Sequence, residues 1–110
     1  MLLNKPYAVN DVITIKLTNG EEIIARYNSE TLTEYIISKP VSLTQTQAGN
    51  IGLMPTVFSA DLNSNMNLLK TVVAMVTHTS KKFADEYIRA TSGIKPASSL
   101  EGLIDAKGSA

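Results

Sequence analysis

From Asp11 onward the chain alternates with a period of two. Ile13, Ile15 and Leu17 fall on one side and Val12, Thr14 and Lys16 on the other, the spacing of a half-buried strand. Asn19-Gly20 follows at once, and because both residues tolerate positive φ the dipeptide predicts a tight hairpin. Glu21 to Asn28 resumes the alternation, with Ile23, Ala25 and Tyr27 opposed to Ile24 and Arg26. Ser29 to Thr33 is a polar break. Glu34 to Thr46 is a third extended stretch built on Tyr35, Ile36, Ile37, Val41 and Leu43. Pro40 has no N–H to give a ladder, which predicts a bend or bulge there. A turn containing Gly49 leads into a fourth strand over Ile51 to Asp61, where Pro55 marks an edge or a second bend. Asn63, Ser64, Asn65 and Asn67 make a loop.

Leu68 to Thr77 is the most apolar run (Leu68, Leu69, Val72, Val73, Ala74, Met75, Val76). Apolar residues on both faces predict a strand covered on both sides, either inside a barrel or against another chain. The period then changes. Phe83, Ala84, Tyr87 and Ile88 form one stripe at helical spacing, with Ser80 placed to cap the N-terminus. Gly93 stands where a helix-ending glycine belongs, and Pro96 follows. These signals divide the chain into an irregular arm over 1–10, one domain over 11–93 with a helix at about 80–92, and an Ala/Ser/Gly-rich tail over 94–110. In that tail Leu100, Leu103 and Ile104 offer at most a turn or two of helix. Five short strands and one amphipathic helix predict a small barrel or a twisted sheet with a helical cap.

Composition narrows the chemistry. The 110 residues hold 10 Lys plus Arg and 10 Asp plus Glu, a formal net charge of zero. A strongly basic nucleic-acid module is thereby excluded, although a local patch is not. Residues 1–80 carry 5 basic and 6 acidic groups and residues 81–110 carry 5 and 4, so neither half supplies an excess. The charged fraction of 18% is low, which fits a surface partly covered by a partner. No cysteine means no disulfide, no thiolate nucleophile and no thiolate metal site, and one histidine excludes most zinc arrangements. Neither a leader pattern nor an apolar run of spanning length occurs, so an intracellular, cytoplasmic protein without membrane attachment is expected.

The run Leu17-Thr18-Asn19-Gly20-Glu21-Glu22-Ile23-Ile24-Ala25-Arg26-Tyr27, continued by Tyr35-Ile36-Ile37-Ser38-Lys39-Pro40-Val41, resembles the first motif of the Sm-like family, which includes the Sm and LSm proteins and the bacterial RNA chaperone Hfq. Gly20, Ile23, Ala25 and Tyr27 match that pattern without gaps. Leu69-Lys70-Thr71-Val72-Val73 resembles the family's second motif, and the likeness covers residues 11 to 77. The departures are equally specific. Thr31 and Tyr35 stand where Sm and LSm rings carry the Asp and Asn of their RNA pocket, Lys70-Thr71 replaces an Arg-Gly, and the helix lies at the C-terminus rather than the N-terminus. The resemblance implies a mainly β fold: a five-stranded, strongly bent antiparallel Sm-like small barrel with one C-terminal α-helix. It also implies a homo-oligomeric ring of roughly five to seven subunits, joined by edge-strand pairing through Leu69, Val72, Val73 and Met75.

From the resemblance Lys70, Thr71, Tyr35 and Thr31 are the expected single-stranded RNA contacts, Lys70 as a pore cation and Tyr35 as a stacking platform. Each also has a plainer reading, Lys70 as a strand residue with a solvated ammonium and Tyr35 as core or interface. His78 has no partner spacing that suggests catalysis, and Glu21 and Glu22, adjacent on a strand, face opposite ways. Lys81, Lys82 and Arg89 are offset by Asp85 and Glu86 on the same helix. The expectation is a non-enzymatic ring with no cofactor and no metal, binding single-stranded RNA. The alternative is a structural or adaptor oligomer, such as an assembly component of a virus or larger complex, that binds no nucleic acid and offers its C-terminal helix or tail to a protein partner.

Overall fold

The structure, a computed structural model, describes residues 6–92. The expectations for residues 1–5, for Gly93 as the helix stop and for the tail over 94–110 lie outside the described residues. Six strands and one helix follow in order: β1 (Val12–Leu17), β2 (Glu22–Glu30), β3 (Glu34–Gln45), β4 (Ile51–Pro55), β5 (Met66–Leu69), a 3-10 turn (Lys70–Val72), β6 (Val73–His78) and α1 (Lys81–Thr91). All strand pairs are antiparallel, and the main order is β4-β3-β2-β1-β6. The fold is thus mainly β with a C-terminal helix, but it has six strands rather than five and its ladder is not closed.

Where the strand count departs from expectation, the bonding explains it. The fourth strand was expected to reach Asp61 but stops at Pro55, which has no N–H to give and pairs with Val41, one residue past the irregularity at Lys39 and Pro40. The apolar run from Leu68 is not one strand. Glu34 to Ile37 at the start of β3 pair with β5, whereas β6 pairs with β1, and Lys70–Val72 makes the change between them. In a flat sheet the positions of β5 and β6 would lie four strand spacings apart, about 19 Å. Three intervening residues reach only about 13 Å. The sheet is therefore strongly curled, with the 3-10 turn at the point where the chain passes from one edge to the other.

Curling gives the sheet two cores. On the inner face Ile13, Ile15, Ile23, Ala25, Tyr27 and Ile37 are buried together. On the outer face Ile24 and Val41 meet Tyr87 of α1, with Phe83, Val12, Leu43 and Leu53 packed around them. This is why Ile23, Ile24 and Ala25 are buried consecutively: neighbours serve opposite cores. The bulge expected at Pro40 is present. Ile24 pairs with Val41 but Arg26 pairs with Ser38, so β3 carries one extra residue, and Lys39 takes a φ of 51°. Ile37 and Val41 would share a face in a regular strand; the extra residue sends them to different cores.

The hairpin at Asn19-Gly20 forms as expected, in a different turn geometry. Gly20 N–H donates to the Leu17 carbonyl at 2.9 Å and Leu17 N–H to the Glu21 carbonyl at 2.7 Å, with only Gly20 at positive φ (95°). That is a three-residue loop with one left-handed residue, and Asn19 instead accepts the Glu21 N–H on its side chain at 2.8 Å. On α1, Tyr87 is fully buried and Phe83 and Ala84 half-buried, but Ile88, expected on the same stripe, is exposed. Ser80 occupies the N-cap position without a side-chain cap bond. Among the described residues no helix is long and apolar enough to cross a membrane.

Candidate functional site

The loop between β2 and β3 and the 3-10 turn are far apart in sequence and adjacent in space. Lys70 N–H donates to the Thr33 carbonyl at 2.8 Å, and β3 begins against β5 with Glu34 opposite Leu69 and Tyr35 opposite Leu68. On the other side of the turn Thr18 N–H donates to the Val72 carbonyl at 2.8 Å. Backbone bonding therefore collects Thr31, Tyr35, Lys70 and Thr71, which the sequence spreads over forty positions, at one end of the sheet. Lys70 does not sit in a strand as expected but in the turn itself.

The side chains there are already engaged. Lys70 Nζ lies 2.7 Å from Glu30 Oε2, the two side chains being 28% and 23% exposed. The same ammonium sits 4.9 Å from the centroid of the Tyr35 ring, within cation–π range. The second Glu30 oxygen accepts the Tyr27 hydroxyl at 2.9 Å. Burial, reinforced by that bond to a carboxylate, pushes the Tyr27 hydroxyl up to about 12. Tyr7 stacks obliquely on Tyr27 at 5.5 Å between centroids, and burial raises its hydroxyl as well. Thr31 does not offer its hydroxyl outward: Oγ1 accepts the N–H of Thr33 at 3.2 Å and of Glu34 at 3.0 Å, which shapes the loop. Thr71 is exposed on the turn.

Glu30 is the member of this cluster that sequence reasoning missed. It lies 40 positions from Lys70, and its only signal was an acid inside a polar break. The arrangement holds one cation close to an aromatic face and balances its charge with a half-buried carboxylate. An incoming phosphate would have to compete with Glu30 for the ammonium.

The expected interface residues are spread over the end of β5 (Leu69), the turn (Val72) and β6 (Val73 and Met75). Leu69 is 51% exposed, Val72 38% and Met75 65%, while Val73 is half-buried against the inner core. Read as covered on both faces, this run is in the single chain half open. β6 pairs with β1 along one edge only, and β4, with Ile51 and Met54 exposed, pairs with β3 along one edge only. His78 and Asp11 meet at 3.3 Å beside the Tyr7 ring. Asp11 is held below the usual carboxylate range, first by the Ala8 N–H and then by His78. Glu21 accepts the buried Ser42 hydroxyl at 2.6 Å, and Ser42 Oγ lies 2.9 Å from Thr56 Oγ1, so the acid serves the joint between hairpin and β3. No family model matches this sequence, and no curated protein matches it either.

Proposed function

We propose that the chain is a non-enzymatic Sm-like small barrel that assembles with copies of itself into a ring. The observation that carries the reading is the pair of open strand edges at the two ends of the sheet order, β4 and β6. An unpaired edge bearing exposed Ile51 and Met54 at one end, and Met75 at the other, is a template for pairing with another chain. A β6 edge laid antiparallel on the β4 edge of the next copy continues the sheet between subunits, and repetition of a head-to-tail contact closes a ring. The tight passage of the chain at Lys70–Val72 supports the small-barrel form, since it forces the sheet to curl.

In such a ring the cluster of Lys70, Tyr35, Thr31 and Thr71 recurs once per subunit, which would let a neutral subunit bind single-stranded RNA by repetition. The internal Glu30–Lys70 pair favours a second reading, in which the ring is a structural or adaptor assembly without nucleic-acid affinity. Mass measurement of the native assembly tests the shared part. A multimer is expected, and Met75→Lys should yield a folded monomer with an unchanged circular dichroism spectrum, because Met75 is 65% exposed in the single chain. A wild-type protein that is monomeric at micromolar concentration would overturn both readings.

A further inference from the structure

Away from the Lys70 cluster, the bulge in β3 forms one wall of a second feature. Arg26 on β2 lies on the same face as Ile24, beside Tyr87 of α1, and lines the feature. Lys39 occupies the bulge, and Asn10, Asn28, Asn63 and Asn65 complete a basin of about 430 Å³. No carboxylate among the described residues lines it. Among the described residues, Lys16, Lys70, Lys81 and Arg89 each have a carboxylate within 3.9 Å, whereas Arg26, Lys39 and Lys82 have none. Two of these three cations line the same basin. In a chain whose charges balance and mostly pair, that convergence is selective.

The basin is also built rather than incidental. Lys39 is held in the left-handed region, where a residue with a Cβ is strained. Two long-range bonds fix it there: its N–H donates to the Leu62 carbonyl at 3.1 Å and its carbonyl accepts the Tyr87 hydroxyl at 2.6 Å. Arg26 is fixed by its Nη1 donating to the Asn10 carbonyl at 2.8 Å, and Asn10 itself sits at a φ of 76°. The guanidinium keeps further N–H groups for a ligand. Residues 56–65, which interrupt the pairing along β3, supply Asn63 and Asn65 to the opposite wall.

We propose that this basin binds a phosphate group carried on a polar organic body, a nucleoside monophosphate being the simplest ligand of that class. An anchored guanidinium and a lysine whose backbone is anchored match the charge of a phosphomonoester, and the guanidinium suits it geometrically. The four carboxamides carry donors and acceptors, the Asn28 oxygen already accepting the Ser29 hydroxyl at 2.9 Å, and that combination pairs with the edge of adenine and with ribose hydroxyls. The site stands apart from the Lys70 cluster and does not rest on RNA binding there.

The test is a titration of the full chain followed by amide NMR, with adenosine 5′-monophosphate, adenosine and the dinucleoside monophosphate ApA as probes. The nucleotide should shift the signals of Arg26, Asn28 and Lys39 saturably, and adenosine should not. Saturation by the nucleotide alone assigns the site to a terminal phosphate; saturation by ApA as well assigns it to the phosphodiester of a strand. Arg26→Gln and Lys39→Gln should each weaken binding about tenfold, the effect of one lost charge-assisted contact. Asn65→Asp, on an exposed loop that leaves the fold intact, should weaken it comparably by placing a carboxylate in the basin. Lys82→Gln should change nothing. Absence of saturable shifts at about 10 mM nucleotide, where even a millimolar site would be filled, would overturn the proposal. So would Lys82→Gln weakening binding as much as Arg26→Gln.

Discussion

Glu30→Gln isolates the question that the Lys70 cluster poses, because it removes the carboxylate charge and almost nothing else. The glutamine carbonyl can still accept the Tyr27 hydroxyl, now 2.9 Å from Glu30 Oε1, so the tyrosine stays anchored. The ion pair does not survive. At 2.7 Å, with both side chains about a quarter exposed, it lies between the exposed pairs and the fully buried ones. Exposed pairs are worth under about 1 kcal/mol and breaking a buried one costs about 3–5 kcal/mol, so on the order of 1–2 kcal/mol is the reasonable size here.

That free energy enters twice with opposite signs. The folded chain loses on the order of 1 kcal/mol of stability, visible as a lower urea midpoint. RNA that engages Lys70 no longer displaces Glu30, so affinity for a short U-rich or A-rich strand at low salt should rise by about tenfold, the equivalent of 1.4 kcal/mol. The slope of log affinity against log salt should steepen by about 0.7 for each phosphate newly neutralised. Fluorescence anisotropy over a salt series reads both quantities. In a double-mutant cycle the gain must vanish in Lys70→Ala, alone or combined with Glu30→Gln. If Glu30→Gln binds RNA no more tightly than the wild type and with the same salt slope, the cluster is not an RNA site, and the adaptor reading stands alone.

Two further outcomes follow from buried tyrosines. Tyr87→Phe leaves the Lys39 carbonyl without the hydroxyl that now reaches it at 2.6 Å, and should cost about 1–2 kcal/mol in urea unfolding; a loss below about 0.3 kcal/mol would mean that the bond does not hold α1 to the bulge. Tyr27 governs alkaline behaviour. Its folded pKa of about 12 lies above the ordinary value of 10.0, so below pH 10 its contribution to stability is fully present, and it is lost as pH rises from there through 12. Read as the difference from Tyr27→Phe, phenolate from Tyr27 should be absent near pH 10 while the chain is folded, and appear only toward pH 12 or with loss of structure. Ionisation of Tyr27 near pH 10 in a still-folded chain would contradict the burial assigned to it.

Alternation made much of the sheet legible, because β1 and the first half of β2 bury one face while their neighbours serve the other core. Ile13, Ile15, Ile23, Ala25 and Tyr27 could be placed together from spacing alone. Pro40 announced the bulge through its missing N–H. The break at Lys70 left no such trace: neither glycine nor proline stands there, and the residues around it are apolar. What turns the chain is a demand set by β1 and β3 together, since one segment must serve both edges of a curled sheet. Local sequence carries no signal of that demand. Glu30 was hidden for the same reason. Its role depends on the turn that brings Lys70 to it, and a charge near a loop reads as a solvated charge until that turn is known. Arg26 and Lys39 were visible as residues, but their convergence required the extra residue in β3.

That extra residue links the stability of the domain to its polar surface. Without it, Val41 would fall on the face of Ile37 and the outer core under Tyr87 would lose a member. With it, Lys39 is driven into the left-handed region, and its backbone is claimed by Leu62 on one side and Tyr87 on the other. The strain at Lys39 is therefore offset by the packing of α1, and the same packing anchors the backbone of a lysine that lines one basin with Arg26. A glycine would satisfy the conformation at lower cost. A lysine there, in a protein with no net charge to spare, places charge in the basin of Arg26 rather than where it would be easiest to accommodate.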